Sequence, residues 1–430
     1  MAQMLVIADD LTGAADCGVA CAAYGLRTLV VVGESGDGTD AEALSIDADT
    51  RRLAPGEAAE ETARLVRRFL VDGETCDRDT LLYKKLDSTM RGNVGAELAA
   101  LLEARRALAD ADERIVAVLA PAFPATGRTT IDGRQLVNGK TLEEFGAGQV
   151  ERAFGRSDLA ATMQEAGLRP ALLGLKVVRG DAGSLRETMK AAAQEADVLV
   201  CDAETDEDLR GIAEASMGLG RGTVWAGSAG LARHLPRAAG LAAVVANEQK
   251  RPRAEGPVLF VVGSGSAVVR EQMEVLASRS DTIVLKIPAE VLLAGEKSAE
   301  WNRYRLALEE ALQAGRDAAI LPDPDVRVES TVGPMLTSAL AALARPFADR
   351  VGALVATGGE TARAVFDGWG VKRLRLIGEV EAGLPCAVTS GWSRALPVLT
   401  KAGGFGGAET LLHCLSFLRG RESGGDEETR

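Results

Sequence analysis

The stretch MLVIADDLTGAAD, residues 4–16, decides the fold. An apolar run stops at two carboxylates, Asp9 and Asp10. A Thr-Gly turn follows at Thr12 and Gly13, and a helix-like pattern rich in small residues then opens with Asp16 in its first turn. A strand that ends in acids and feeds a helix is the first half of a parallel βαβ unit, and ligands of such sheets bind beyond the carboxyl ends of the strands. The alternation recurs outward from there. LVIA (5–8), TLVVV (28–32), LLYKKL (81–86), IVAVLAP (115–121), LLGLKVV (172–178), DVLVCDA (197–203) and TVWAG (223–227) read as strands, with helical patterns over 14–24, 56–71, 94–107, 184–195 and 206–217.

The polar stretch ANEQKRPRAEGP, residues 246–257, carries two prolines and no periodicity, so it reads as a linker. A second α/β pattern follows through VLFVVG (258–263), TIVLKI (282–287), AAILPD (318–323), ALVATGG (353–359), LRLIGEV (374–380) and LPVLTKAGGFGG (396–407). With 430 residues the chain exceeds the ~250–300 at which a single core stops growing. The expected fold class is α/β: two α/β domains, 1–245 and 258–420, with mostly parallel sheets and an interdomain cleft, and a disordered tail over 421–430. Two such domains, each with half a site, are expected to close when both ligands bind.

Composition narrows the partners. The net charge is −13, and no basic stripe interleaved with aromatics occurs, which disfavours nucleic acid and anionic membranes and leaves a small molecule; self-association is allowed. The opening apolar run does not resemble a signal peptide and no run approaches ~18 apolar residues, so the cytoplasm is the expected compartment. Six cysteines form no CxxC pair, and two histidines, His234 and His413, leave little for a His-centred metal site or a Ser-His-Asp triad. Chemistry built on Asp, Lys, Arg and backbone amides fits better.

Three blocks in the first half carry such groups. Asp9 and Asp10 at a strand end can take a hydroxyl proton, hydrogen-bond a polyol or hold Mg²⁺. In YKKLDSTMRGN, residues 83–93, Lys84, Lys85, Asp87, Ser88 and Arg91 surround a strand end and a helix start, suited to gripping a carboxylate or phosphate. In PAFPATGRTTIDGRQLVNG, residues 121–139, two prolines fix a rigid turn, and Gly127 lets Arg128 approach a ligand. In the second half, GSGS (263–266), TGGET (357–361) and KAGGFGG (401–407) each follow a strand and precede a helix, the arrangement that offers amides to a phosphate. Ser264, Ser266, Thr361 and Lys401 add hydroxyls and a charge there. No GxxxxGK[ST] occurs, and Val268 stands where a dinucleotide fingerprint wants its third Gly.

As a set, IADDLTGAAD, YKKLDSTMRGNVGAEL, PAFPATGRTTIDGRQLVNG, WAGSAGLAR, the GSGS turn, ATGGETARAVF and LPVLTKAGGFGG resemble the bacterial four-carbon acid sugar kinase family, in the same order over both halves. The resemblance implies a sugar-acid domain followed by an ATP domain, and phosphorylation of threonate, erythronate or an oxo-tetronate at the 4-hydroxyl, with ATP and Mg²⁺. By the same resemblance Ser264, Ser266, Gly358, Gly359, Glu360, Thr361, Lys401, Gly403 and Gly404 contact ATP, while Asp9, Thr12, Asp16, Lys85, Ser88 and Arg128 face the acid. Lys84, Lys85, Arg91 and Arg128 are expected to supply the positive field, and Asp10 or Asp87 to take the proton. After VNG the chain reads KTLEEFGAGQVERAFGRSDL, a departure from relatives in a segment that could shape the substrate pocket. A non-catalytic sensor of a sugar acid or nucleotide, and a dehydrogenase with a degenerate dinucleotide loop, are the competing readings.

Overall fold

The structure is a computed structural model that describes residues 1–33, 40–72, 75–111, 113–146, 154–241, 251–323, 332–381 and 383–421. It divides into two compact units, Met1–Ala246 and Asn247–Arg430. The expected linker spans this division, with its residues 246–250 outside the described ones; the expected disordered tail lies outside them from residue 422 onward.

In the first unit the sheet strands are β1 (Met4–Ala8), β2 (Thr28–Val32), β3 (Ala43–Asp47), β4 (Leu81–Lys85), β5 (Ala117–Ala120), β9 (Pro170–Leu173), β10 (Val198–Cys201) and β11 (Val224–Gly227). They lie parallel in the order β2-β3-β1-β4-β11-β5-β10-β9. Alternate residues face opposite layers: Leu5 and Ile7 pack with Leu82, Leu98 and Leu101, whereas Met4 and Val6 pack with Val118, Leu199 and Trp225. Burial of both faces explains why the strands read as continuous apolar runs.

Three features depart from the sequence reading. Ala43–Asp47 is a fully buried strand that was not anticipated. LLGLKVV is not one strand: β9 ends at Leu173, and Leu175–Val178 forms a single helical turn, because the Asp202 carboxylate takes the Leu175 N–H while the Asp202 N–H bonds to the Leu173 carbonyl at 3.0 Å. Beyond the proline turn, which the structure has at Pro124–Thr126, lies a small antiparallel sheet that the sequence reading does not contain, β6 (Arg128–Ile131), β7 (Arg134–Val137) and β8 (Lys140–Thr141). Its turns are Asp132-Gly133 and Asn138-Gly139, all at positive φ, the geometry that two-residue hairpins demand. Gly127 is required because a Cβ there would lie 2.1 Å from the Asn138 side-chain oxygen, so that space belongs to Asn138 rather than to a ligand. Asp202 accepts from the Asp132 and Gly133 amides at 2.8 and 2.9 Å, and Gln135 donates to the Ser88 carbonyl at 2.9 Å; the small sheet is thereby tied to loops leaving β10 and β4.

The second unit contains β12 (Val258–Val262), β13 (Ile283–Ile287), β14 (Ala318–Pro322), β15 (Ala353–Thr357), β16 (Arg373–Glu379), β17 (Pro385–Thr389) and β18 (Pro397–Lys401). Their order is β13-β14-β12-β15-β18-β17-β16, parallel through β18 and antiparallel beyond. Val258, Phe260 and Val262 centre one layer with Leu276, Val355 and Leu411. No described helix is long and apolar enough to cross a membrane.

The close approach of β11 to its neighbours gives a direct test. A Cβ on Gly227 would lie 2.3 Å from the Ala120 carbonyl oxygen and 2.9 Å from the Tyr83 hydroxyl, and the backbone oxygen cannot yield. Gly227→Ala is expected to cost about 1–3 kcal/mol in urea unfolding; unchanged stability would contradict this packing.

Candidate active site

From β1 the chain runs to one side, to β2 and β3, and then returns to place β4 on the other side, so the crevice beyond β1 and β4 is the topological switch point of the first unit. Asp9 and Asp10 leave β1 there and Asp87 leaves β4. Asp10 begins the helix Leu11–Tyr24, accepting from the Gly13 amide at 2.7 Å, and Gly25 ends that helix at φ 102°. A Cβ on Gly13 would lie 2.7 Å from the Asp10 Oδ1 and 3.1 Å from the Lys85 Nζ, so the missing side chain makes room for both.

The group that organises these acids is one the sequence reading missed. Arg51 donates to Asp9 through Nε at 2.7 Å and Nη2 at 3.1 Å, reaches Asp10 through Nη1, and stands 3.7 Å from Asp87. It arrives through β3: Ala8 pairs with Asp47, and the amides of Thr50 and Arg51 bond to the Asp9 carbonyl at 3.1 and 3.2 Å. A second strand of type ALSID followed by a loop, DADTR, is the available signal. Burial alone would raise the Asp9 carboxyl, but Arg51, with Lys84 and Lys85, holds it below the usual range. Asp87 is likewise driven up by burial, but Arg91, whose Nε and Nη2 donate at 2.8 and 2.6 Å, together with Arg51 and Thr89, brings it well below the usual range.

The two lysines part company. Lys84 is fully buried, 3.4 Å from Glu97 and 3.5 Å from the Ile7 carbonyl, so it secures β4 to β1 and to the helix Val94–Arg106. Burial raises the Glu97 carboxyl. The Lys85 ammonium has a single hydrogen bond among the described residues, to the Leu86 carbonyl at 2.8 Å, and lies against Gly13. Burial opposes that charge, yet the carboxylates of Asp9, Asp16 and Asp10 hold it above the usual range. Asp16 is half-buried, but its Oδ1 is sealed from solvent and has no hydrogen-bond partner among the described residues. Burial pushes its carboxyl above the usual range; Lys85 and Arg233 oppose this and Asp10 adds to it.

Thr12 and Ser88 are half-buried beside these groups, with the Ser88 carbonyl held by Gln135. Arg128 opens β6 and donates to the Thr126 carbonyl at its own turn. The arrangement of the first unit therefore gathers Asp9, Asp10, Arg51, Lys85, Asp87 and Arg91, with Asp16 one helical turn beyond Gly13.

The second unit repeats the topology. β13 and β14 lie to one side of β12 and β15 to the other, so GSGS and TGGET flank its switch point. Ser266 caps the helix Ala267–Arg279 through the Val269 amide at 3.2 Å and donates to the Gly403 carbonyl at 2.6 Å. A Cβ on Gly403 would lie 2.2 Å from the Ser264 Oγ, and one on Gly263 would lie 2.1 Å from the Thr361 Oγ1. The three glycine-rich junctions thus meet in one place. Gly358, at φ 96°, and Gly359 open the helix Gly359–Trp369, with Glu360 in its first turn. Lys401 is turned inward, donating to the carbonyls of Ala402 and Phe405 at 3.0 and 2.8 Å, and burial brings its pKa down to about 8. It shapes the loop that carries Gly403 and the exposed Gly404, and Gln272 pins the same loop through the Phe405 and Gly407 carbonyls. Amides of two helix starts remain as the groups able to hold a polyphosphate.

For a divalent cation the fit is poor. Arg51 already neutralises the clustered acids, and among the described residues no three His, Cys, Asp or Glu side chains are placed to hold a metal ion.

Residues 4–235 match the family of sugar-binding N-terminal domains and residues 259–411 the family of nucleotide-binding C-terminal domains. The chain is 40% identical over 420 residues to the D-threonate kinase of Cupriavidus necator, covering 95% of this chain and 96% of that one. It is 31% identical over 437 residues to the D-threonate kinase of Salmonella typhimurium, covering 97% and 98%. A crystal structure of a Salmonella typhimurium LT2 protein, 21% identical, superposes with a TM-score of 0.79 over 96% of this chain and 99% of that one, a likeness of fold.

Arg51→Met leaves the 2%-exposed Asp9 and its neighbours without their shared cation. We expect a loss of ~3 kcal/mol in urea unfolding at pH 7, the low end for breaking a buried pair because Arg51 is itself 22% exposed. The depressed carboxyls stabilise the native chain above the unfolded value of ~3.9, and that stability is lost as pH falls through their folded values. The deficit of the variant should therefore shrink as pH falls below ~4; a deficit independent of pH would contradict the assignment.

Proposed function

This chain belongs to the four-carbon acid sugar kinase family, and from that premise we propose that it transfers the γ-phosphoryl group of ATP to the 4-hydroxyl of D-threonate. Four-carbon sugar-acid kinase is the activity its relatives share; D-threonate is the choice favoured by the 40% identical relative. The observation that carries the reading is a polar switch point in each unit, one lined by side chains and one by amides. Phosphoryl transfer asks the protein for alignment and charge neutralisation rather than covalent chemistry.

In the first unit Lys85 and Arg51 are the cations suited to a carboxylate, and Asp9 and Asp10 the acceptors suited to the hydroxyls of a short polyol acid. Arg91 would contribute field while locking Asp87 and the turn after β4. Asp87, with both oxygens on Arg91, is a weak proton acceptor, so its part is to hold Arg91. In the second unit the amides around Ser264–Ser266 and those of Gly359 and Glu360 would cradle the phosphates of ATP, with Thr361 and the Gly403–Gly404 turn closing the floor, while the Gly358 amide is held by the Lys401 carbonyl at 2.7 Å. Mg²⁺, the usual partner of ATP, would be held by the nucleotide's own phosphate oxygens, since the described residues offer it no cage.

Coupled ADP release from purified chain, measured against D-threonate, L-threonate, erythronate, 3-oxo-tetronate and five- and six-carbon sugar acids, tests this. We expect D-threonate to give the highest kcat/KM, at least about tenfold above the other acids, the scale of a few well-placed polar contacts. ADP release with none of the four-carbon acids would overturn the reading.

A further inference from the structure

We propose that Asp16 takes the proton from the substrate hydroxyl as that hydroxyl attacks the γ-phosphorus, with Lys85 and Arg233 flanking it. The proposal rests on the kinase reading above and deepens it at the same site.

At each of the other three carboxylates of the first switch point both oxygens already accept from a protein donor. Both oxygens of Asp9 accept from Arg51, those of Asp10 accept from the Gly13 amide and Arg51, and those of Asp87 accept from Arg91. An oxygen already bound to a guanidinium gains little from a further proton. Asp16 differs: it forms no ion pair among the described residues, and its Oδ1 has no hydrogen bond. It lies three residues after Gly13, hence on the same face of the helix Leu11–Tyr24, and that face is the one against which the Lys85 ammonium sits. The result is a carboxylate with an unsatisfied oxygen beside a donor that has spent one of its three N–H groups.

Burial supplies the second requirement. A carboxylate serves as a base near neutral pH when its affinity for a proton is raised, and burial raises that of Asp16 against the opposition of Lys85 and Arg233. The remaining titratable groups facing it are Asp10, Cys17 and Tyr83; burial drives the thiol and the phenol far upward, so neither titrates on the acid side. In the step itself, the hydroxyl oxygen bonds to the γ-phosphorus as the bond from that phosphorus to the β–γ bridging oxygen breaks. ADP leaves with that electron pair, and the hydroxyl proton passes to the Asp16 carboxylate, to be lost to solvent after product departs.

The test compares Asp16→Asn and Asp16→Glu with the wild type in the full chain. Asp16→Asn should lower kcat by about 10²- to 10⁴-fold, with KM for ATP and for the sugar acid within about threefold, and Asp16→Glu should recover part of the loss. Wild-type kcat should fall on the acid side through a pKa above the ordinary ~3.9, and that limb should vanish from the residual activity of Asp16→Asn. The melting temperature of Asp16→Asn should equal or exceed that of the wild type, since an unpartnered buried charge is removed. Near-normal kcat in Asp16→Asn, a loss carried by KM alone, or a loss accompanied by a lowered melting temperature would overturn the assignment and leave Asp16 a structural support. A wild-type chain inactive with every sugar acid would refute the kinase reading itself, a result distinguishable from any of these.

Discussion

Three carboxylates cannot crowd the ends of two adjacent strands unless a cation stands among them, and Arg51 is that cation. Its position follows from the backbone. β3 lies beside β1 in parallel register, the loop after β3 bonds to the Asp9 carbonyl, and the guanidinium is thereby delivered to Asp9, Asp10 and Asp87 together. Beneath it, Lys84 and Glu97 form a buried pair that fixes β4 against β1. With these acids paired, Lys85 and Asp16 still keep unused hydrogen-bonding capacity, which is the condition for binding and chemistry rather than for stability.

The two units solve a common topological problem with different materials. Each places its polar groups where the chain reverses its direction of strand addition, but the first builds its surface from charged side chains and the second from glycine-rich backbone. The contrast suits the ligands: a sugar acid offers one carboxylate and hydroxyls in a fixed stereochemistry, whereas a polyphosphate is held well by amides at helix starts. In the second unit even the buried Lys401 and Gln272 spend their donors on the carbonyls of the 402–407 loop, holding its amides in place.

Much of this was legible before the fold was seen. Strands that end in Asp9-Asp10 and in Lys84-Lys85 announce themselves by apolar runs meeting charge, and the glycine-rich junctions by their place between strand and helix. Arg51 was not, because its strand, ALSID, is short and broken by Ser45, whose hydroxyl turns out to bond the Ala14 carbonyl at 2.6 Å. The Asp132-Gly133 and Asn138-Gly139 hairpins were written in the sequence yet lay inside a segment read for its prolines. LLGLKVV looked continuous because nothing local reveals that Asp202, 27 residues beyond Leu175, captures its amide. Lys84 and Lys401 show the general limit: sequence places a charge near a strand end, but only packing decides whether it faces ligand or interior.

The most direct measurement is a crystal structure of the chain grown with D-threonate. The expected result places the acid beyond β1 and β4, with its oxygens within about 3 Å of Lys85 Nζ and the Arg51 guanidinium and a hydroxyl facing Asp16. D-threonate bound away from Arg51 and Lys85, with Asp9, Asp10 and Asp87 contacting only protein, would contradict it.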